Sequence, residues 1–307
     1  DRISGSIDLY KRTTRDLIDN FPVPTPPYLY STITANAASM ENKGVEVQLN
    51  VVPVRNENFE WSTTVNFSAN KNKVLTLSNS KFALASGYYD TGNTGEPIQQ
   101  PTHRVQVGQP IGNFWGFKSI DVDETGHWII EGKDGMPKPI ANQQADDKKI
   151  IGNGLPKRYL NWNNTLTYKN FDFNVTMRGA FGFQILNMTE MFWSAPVMLT
   201  RGNLRVNAYD NIYGKRPLAD DQSLQYVSHY IENGNYWKID NITLGYNFSF
   251  NNKYIKRARI YTSASNLHTF TKYKGIDPEV AINGLAPGID EKNRYPATTS
   301  YTIGASL

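Results

Sequence analysis

The feature that most constrains this chain is an alternation of apolar and polar residues with a period of two, recurring from one end to the other. Successive side chains of a β-strand point to opposite faces, so such runs specify extended strands with one apolar and one polar face. An amphipathic helix would instead repeat its apolar positions every three or four residues. Residues 171–181 are the clearest case: Phe171, Phe173, Val175, Met177 and Phe181 alternate with Asp172, Asn174, Thr176 and Arg178. The segments 44–51, 59–69, 160–168 and 242–250 behave alike, as do the start (Ile3, Ile7, Leu9) and the end (Tyr301, Ile303, Leu307). Residues 257–267 are strand-like but weaker in phase. The expectation is eight strands, each of about ten residues, the length a tilted strand needs to cross the hydrocarbon layer of a membrane.

The connections between these runs alternate in length. Residues 15–41 are long, 53–58 short, 73–157 very long, 169–170 a tight turn, 184–235 long, 251–256 short and 268–297 long. Hairpins that span an outer membrane have short turns on the periplasmic side and long loops outside. This phase puts the C-terminus on the short-turn side. Aromatic residues also gather beside the short turns: Phe59, Trp61, Tyr168, Phe171, Phe248, Phe250 and Tyr254. Rings with a polar handle favour the membrane interface, so a girdle is expected there.

Composition narrows the class. Among 307 residues the apolar fraction is 39 %, aromatics are 12 %, and there is no cysteine. The absence of Cys excludes a disulfide framework, a thiolate metal site and a Cys nucleophile. Lys and Arg number 32 against 28 Asp and Glu, a net charge of +4. The positive residues are scattered, so no nucleic-acid partner is implied. No run approaches about 18 consecutive apolar residues, so no membrane-spanning helix is expected.

Alternation by itself does not say which face points inward. A soluble barrel or sandwich buries its apolar face; a membrane barrel turns it outward. The loop lengths and the aromatic placement favour a transmembrane antiparallel barrel. An eight-stranded barrel has a lumen just filled by side chains and no need of such loops. A soluble all-β carbohydrate-binding module remains one alternative. A self-contained outer-membrane enzyme or porin, in which residues 1–307 close a barrel alone, is another.

Several stretches then resemble, in order, the C-terminal barrel region of SusC/RagA-type TonB-dependent transporters of Bacteroidetes. They are Asn42-Lys43-Gly44-Val45-Glu46-Val47, Phe59-Glu60-Trp61 with Asn70-Lys71-Asn72-Lys73-Val74, and Gly108-Gln109-Pro110-Ile111-Gly112-Asn113-Phe114-Trp115-Gly116-Phe117. Ile151-Gly152-Asn153-Gly154-Leu155-Pro156, Glu232-Asn233-Gly234-Asn235-Tyr236-Trp237-Lys238-Ile239 and Leu244-Gly245-Tyr246-Asn247-Phe248 follow. Ser265-Asn266-Leu267, Tyr273-Lys274-Gly275-Ile276-Asp277-Pro278-Glu279 and Tyr295-Pro296 complete the set. The resemblance implies a 22-stranded barrel closed around a plug, of which residues 1–307 are the last eight strands. It further implies residence in the outer membrane, contact with its lipid, a SusD-like lipoprotein as lid, and TonB acting through an N-terminal part. The cargo it implies is an oligosaccharide or, as the other main class, an oligopeptide. The chain opens in mid-pattern at Asp1-Arg2-Ile3-Ser4, with neither an initiating Met nor a basic-then-apolar signal, and Leu307 stops short of the usual closing aromatic. Both features fit the expectation of a segment of a longer protein.

Residue chemistry offers few rivals to transport. No nucleophile elbow, Walker loop or paired metal-spaced histidines stand out, so no enzyme activity and no cofactor are expected. His103, His127, His229 and His268 read as solvated surface histidines. Asp121 and Asp123 begin a calcium-loop-like pattern, but Gly132 stands where the terminal Glu belongs, with Glu131 one place early. An acidic hairpin turn is therefore expected there, with bound calcium as the alternative. Loop aromatics suited to stacking on sugar rings or holding peptide side chains are Tyr88, Tyr89, Trp115, Trp128, Phe192, Trp193, Tyr209 and Tyr213. Tyr89, Trp115, Trp193 and Tyr213 are the candidate substrate-binding residues among them. Glu46, Gln48, Asn174, Arg178 and Asn247 are expected to line a hydrated lumen or touch a plug.

Overall fold

Each alternating run pairs with its neighbour in sequence. In the computed structural model, which describes residues 2–80, 82–84, 86–251 and 253–307, eight strands form one antiparallel sheet. They are β1 (Ile3–Pro22), β2 (Thr32–Arg55), β3 (Phe59–Leu77), β4 (Arg158–Tyr168), β5 (Phe171–Phe181), β6 (Tyr236–Ser249), β7 (Arg257–Thr271) and β8 (Ser300–Ser306). Spatial order equals sequence order, and among the described residues it ends on β1 and β8. The chain thus builds an open wall of a barrel. It does not close an eight-stranded barrel on itself.

Register lines up like with like. One row on one face reads Leu49, Val65, Trp162, Met177, and another reads Phe173, Leu244, Thr262, Ile303. The opposite face carries Asn50, Thr64, Asn163, Thr176, Asn241 and Ser265 in one row. The apolar face leaves Ile7, Leu9, Leu244, Ile260 and Ile303 exposed. Rows of aliphatic side chains of this extent are stable facing lipid. At the short-turn end Phe171, Tyr246, Phe248 and Phe250 form a chain of ring contacts, with successive centroids 4.7, 4.7 and 6.2 Å apart. This ladder is the expected girdle.

Polar residues interrupt the apolar face around Asn164 and Thr63. Asn164 lies opposite Val175 and Thr63, is 8 % exposed, and accepts a hydrogen bond of 3.2 Å from the Trp61 indole. The neighbouring Trp162 indole donates to the Thr63 hydroxyl at 2.9 Å. Both tryptophans therefore cap polar groups that lipid could not satisfy. Replacing Trp61 by Phe keeps the ring bulk and removes the donor. The expected destabilisation is about 1–3 kcal/mol, read as a lower urea midpoint; Trp61→Phe paired with Asn164→Leu should recover most of it.

The first three strands are longer than the alternation foretold. The expected loop at 15–41 shrinks to residues 23–31, because strand pairing continues to Pro22 and resumes at Thr32. Pro24, Pro26 and Pro27 mark the true turn, since proline cannot donate to a ladder. Alternation weakens above the membrane because neither face there meets lipid. Instead Ala37, Ala38, Val74 and Leu77 pack with Phe21, Tyr89 and Val105 in a small core. The short connection expected at 53–58 narrows to residues 56–58, because the strand runs on to Arg55, and the tight turn falls at 169–170 as expected. Of the third, 251–256, Asn252 lies outside the described residues, as do Lys81 and Ala85 of the long connection 73–157.

The largest core belongs to the loops. Residues Asn113–Gly116, Ser119–Val122 and Trp128–Glu131 of the β3–β4 connection contribute to two small sheets. The β5–β6 connection adds the short helix Met188–Trp193, whose start is capped by Asn187 accepting from the Glu190 amide at 2.9 Å. Phe114, Trp128, Ile130, Leu186, Met191 and Tyr226 are buried together between these connections. The outer loops are consequently a folded roof above the wall.

Candidate functional site

The polar face of the wall holds one row of distinct chemistry. Ser6, Gln48, Asn66, Asn161, Arg178 and Lys238 stand side by side across β1 to β6. The row below is uncharged and self-bonded: Thr64 donates to Asn50 at 2.9 Å, Asn174 to Asn163 at 2.9 Å, and Asn241 to Ser265 at 3.0 Å. Amides and hydroxyls that already satisfy one another can exchange partners with a polar cargo at little cost.

The connection between β7 and β8, residues 272–299, folds back as a strap over this face. Glu279 is its anchor. It accepts from Lys238 Nζ at 2.7 Å, from the Tyr236 hydroxyl at 3.0 Å, and from the Arg178 guanidinium. Arg178 also donates from Nε to Asp240 at 2.9 Å. Burial works against the Glu279 charge, but the Lys238 bond and the Arg178 charge outweigh it and hold its pKa below the usual carboxylate value. A cleft of about 620 Å³ lies between strap and wall, lined by Gln48, Asn66, Tyr159, Asn161, Arg178 and Glu279 among others. Tyr159 projects from the polar face of β4 and also borders a second cavity, of about 740 Å³, where wall meets roof. Its ring offers an aromatic surface beside the polar rows.

The strap is fastened to the roof at its other end. Ile289–Asp290 pairs in parallel with Leu186 and Asn187, and the Leu186 amide donates to Gly288 O at 2.8 Å. Gly154 and Gly288 meet so closely that a Cβ on Gly154 would lie 2.0 Å from Pro287 O, and Gly288 has φ +80°. Only glycine fits both requirements. His103 completes the joint, with Nε2 2.9 Å from Pro287 O and Nδ1 2.8 Å from the Thr102 hydroxyl.

Two of the histidines therefore depart from the expected surface role. His103 is fully buried, and His229 is half-buried against Trp128, with ring centroids 5.2 Å apart. Neighbouring loop elements, not local sequence, bury them. Burial lowers the pKa of each to about 4. Both stay neutral in the folded roof while the unfolded chain takes up protons near 6.5, so their contribution is complete above 6.5 and is lost as pH falls toward 4. Roof protection from protease is expected to decline over that window. His103→Gln and His229→Gln together should flatten the pH dependence between 6.5 and 4.

The four candidate aromatics occupy four different environments. Tyr89 is buried in the small core above β1 to β3, its hydroxyl donating to Asp19. Trp115 is half-buried, and the Arg104 guanidinium lies 3.9 Å from its ring and 3.7 Å from that of Tyr88. Trp193 packs against the roof core. Tyr213 is 44 % exposed, and its hydroxyl sits 2.9 Å from Ser119 Oγ. None of the four lines the 620 Å³ cleft. Its residues Tyr159, Tyr236 and Glu279 were not singled out as site candidates in the sequence. No local signal pairs Arg178 with Lys238, because the bulge at Thr176/Met177 shifts Lys238 onto the face of Thr243. The Asp121/Asp123 segment forms an acidic hairpin turn. Asp123 accepts from the Thr125 and His127 amides at 2.9 and 3.0 Å, while Asp121 pairs with Lys215.

Comparison with known proteins places this geometry. No family model matches the chain. TonB-dependent receptor P3 of Formosa agariphila is 31 % identical over the whole chain, and TonB-dependent receptor SusC of Bacteroides thetaiotaomicron 29 %. The chain spans about a third of the length of these curated relatives, 32 % and 30 %. Among solved structures, the RagAB peptide transporter superposes with a TM-score of 0.79 at 22 % identity, over 99 % of this chain and 33 % of that one. The RagAB peptide importer in its closed-closed state gives 0.81 at 23 %. At that identity the superposition speaks to the fold: a barrel wall with these loops.

Proposed function

Because the chain belongs to the SusC/RagA-type TonB-dependent transporters of the outer membrane, we propose that it supplies the last third of the barrel wall of a nutrient importer, with the roof and strap enclosing the cargo path. The cargo is an oligosaccharide, captured together with a SusD-like surface lipoprotein and drawn inward when TonB acts on a plug contributed by the rest of the protein. The observation that carries this reading is the two-sidedness of the wall. Its outer face is aliphatic and aromatic, and its inner face is a field of amides and hydroxyls opening on a cleft. Neutral donors and acceptors beside the Tyr159 ring suit sugar hydroxyls and a sugar's apolar face. The test is deletion of the full-length gene followed by growth and uptake on defined glycans and on defined peptides, with outer-membrane fractionation of the protein. Loss of growth on one glycan class alone supports the reading. A defect confined to peptides replaces the cargo, and recovery of the protein as a soluble species overturns transport.

A further inference from the structure

Two cations, Arg178 and Lys238, cluster with the Tyr236 hydroxyl on a wall whose other charged residues at the cleft, Asp8 and Glu46, are acidic. Asp240 balances one of the two cations through Arg178 Nε, and Glu279 of the strap balances the other. The next acid, Asp277, stays 3.9 Å from Lys238 Nζ. Lys238 is 2 % exposed, so it cannot fall back on water when Glu279 leaves. Arg178, Tyr236 and Glu279 border the cleft, and Arg178 is the one Lys or Arg among the described residues lining it. The donors converge on a single carboxylate that belongs to a connection, while they themselves stand on adjacent strands of a rigid sheet. A preformed anion site on the wall thus holds a carboxylate that the strap supplies, next to Val280 packed with Ala180, Phe183 and Tyr236.

We propose that Arg178, Lys238 and the Tyr236 hydroxyl form an anion-binding subsite of the lumen which Glu279 occupies in the resting state, and that an anionic group on the incoming cargo, a carboxylate or a sulfate, displaces Glu279 and releases the strap. The proposal rests on the reading of the cleft as the cargo path. The planar guanidinium fork accepts either group in a two-point contact, and Lys238 follows as a point charge. Release costs little net charge burial, because one anion replaces another. A neutral cargo cannot make the exchange, so the strap discriminates by charge. The Asp290 and His103 joints keep the far end of the strap on the roof, so release is confined to the segment around Glu279, where Val280 leaves its place beside Ala180, Phe183 and Tyr236.

The experiment uses the full-length transporter in outer-membrane vesicles. A nitroxide on Asn283→Cys, an exposed strap position, reports strap mobility by its spectrum. Sodium acetate is exchanged for sodium chloride at fixed ionic strength as the carboxylate probe, and sodium sulfate serves as the second arm. Acetate or sulfate should enlarge the mobile component. Glu279→Gln should enlarge it without added anion, by roughly tenfold for the loss of a charged hydrogen-bond cluster, and acetate should then add nothing. Arg178→Gln, verified as folded by heat-modifiable migration, should abolish the acetate response. A label that ignores both anions, or one that stays immobile in Glu279→Gln, overturns the proposal. The readout involves no uptake: a responsive strap in a protein that fails to import its glycan argues against the transport reading, and an unresponsive strap in a working importer argues against the subsite.

Discussion

Arginine in place of Val175 is expected to lower the stability of the barrel by about 2–4 kcal/mol, whereas arginine one residue on, at Thr176, should change it little. Val175 stands near the middle of β5, opposite Asn164 and Ile242, on the face that bears Phe171, Phe173 and Met177. A charge there meets hydrocarbon, and both strand ends are too far for the side chain to reach water without distorting the pairing. Thr176 points the other way, among Asn163, Asn174 and Asn241, where a guanidinium finds acceptors and solvent. The measurement is the urea midpoint of folded, heat-modifiable protein for each full-length variant in lipid. A larger loss at Thr176 would invert the assignment of the faces and restore the soluble all-β alternative, and equal losses would remove the contrast between the two faces.

That contrast rests on the part of the structure most legible in the sequence. A period of two is a direct image of the pleat, so Phe171 to Phe181 could be assigned to faces without knowing any partner strand. The tight turn at 169–170 and the girdle around Phe248 and Phe250 were legible for the same reason: local geometry determines them. Elsewhere the signal is not local. Nothing around His103 announces that Pro287, 184 residues away, will cover it. Glu279 sits in a motif-bearing loop, but its role depends on Arg178 and Lys238 becoming neighbours through β5–β6 pairing. The upper halves of β1 and β2 look like loop in the sequence because their alternation fades where lipid ends, although backbone pairing continues. Residue type alone does not separate a ring that packs a roof, as Trp193 does, from one that borders a cleft, as Tyr159 does.

The second large effect concerns the roof, and it separates the roof from the wall. Trp128 is 1 % exposed and touches Tyr230, His229 and Tyr213, with centroid separations of 5.9, 5.2 and 6.4 Å. It joins the β3–β4 connection to the β5–β6 connection in the largest core. Trp128→Ala should therefore cost about 3–5 kcal/mol, the usual range for emptying a buried indole site. The loss should fall on the roof alone, since the wall is held by lipid-facing rows and strand hydrogen bonds that Trp128 does not enter. In the full-length protein, limited proteolysis should open both connections at once, while heat-modifiable migration of the barrel persists. Trp128→Phe should retain most of the protection because it keeps the apolar volume. If Trp128→Ala instead abolishes barrel folding, the roof is part of the nucleus on which the wall assembles, and the loops cannot be a separately cooperative layer. If both connections stay protected, the core around Trp128 does not hold them together. The expected outcome, a melted roof on an intact wall, would leave the strap attached to β7 and β8 and to Arg178 through Glu279, but without its joint at His103.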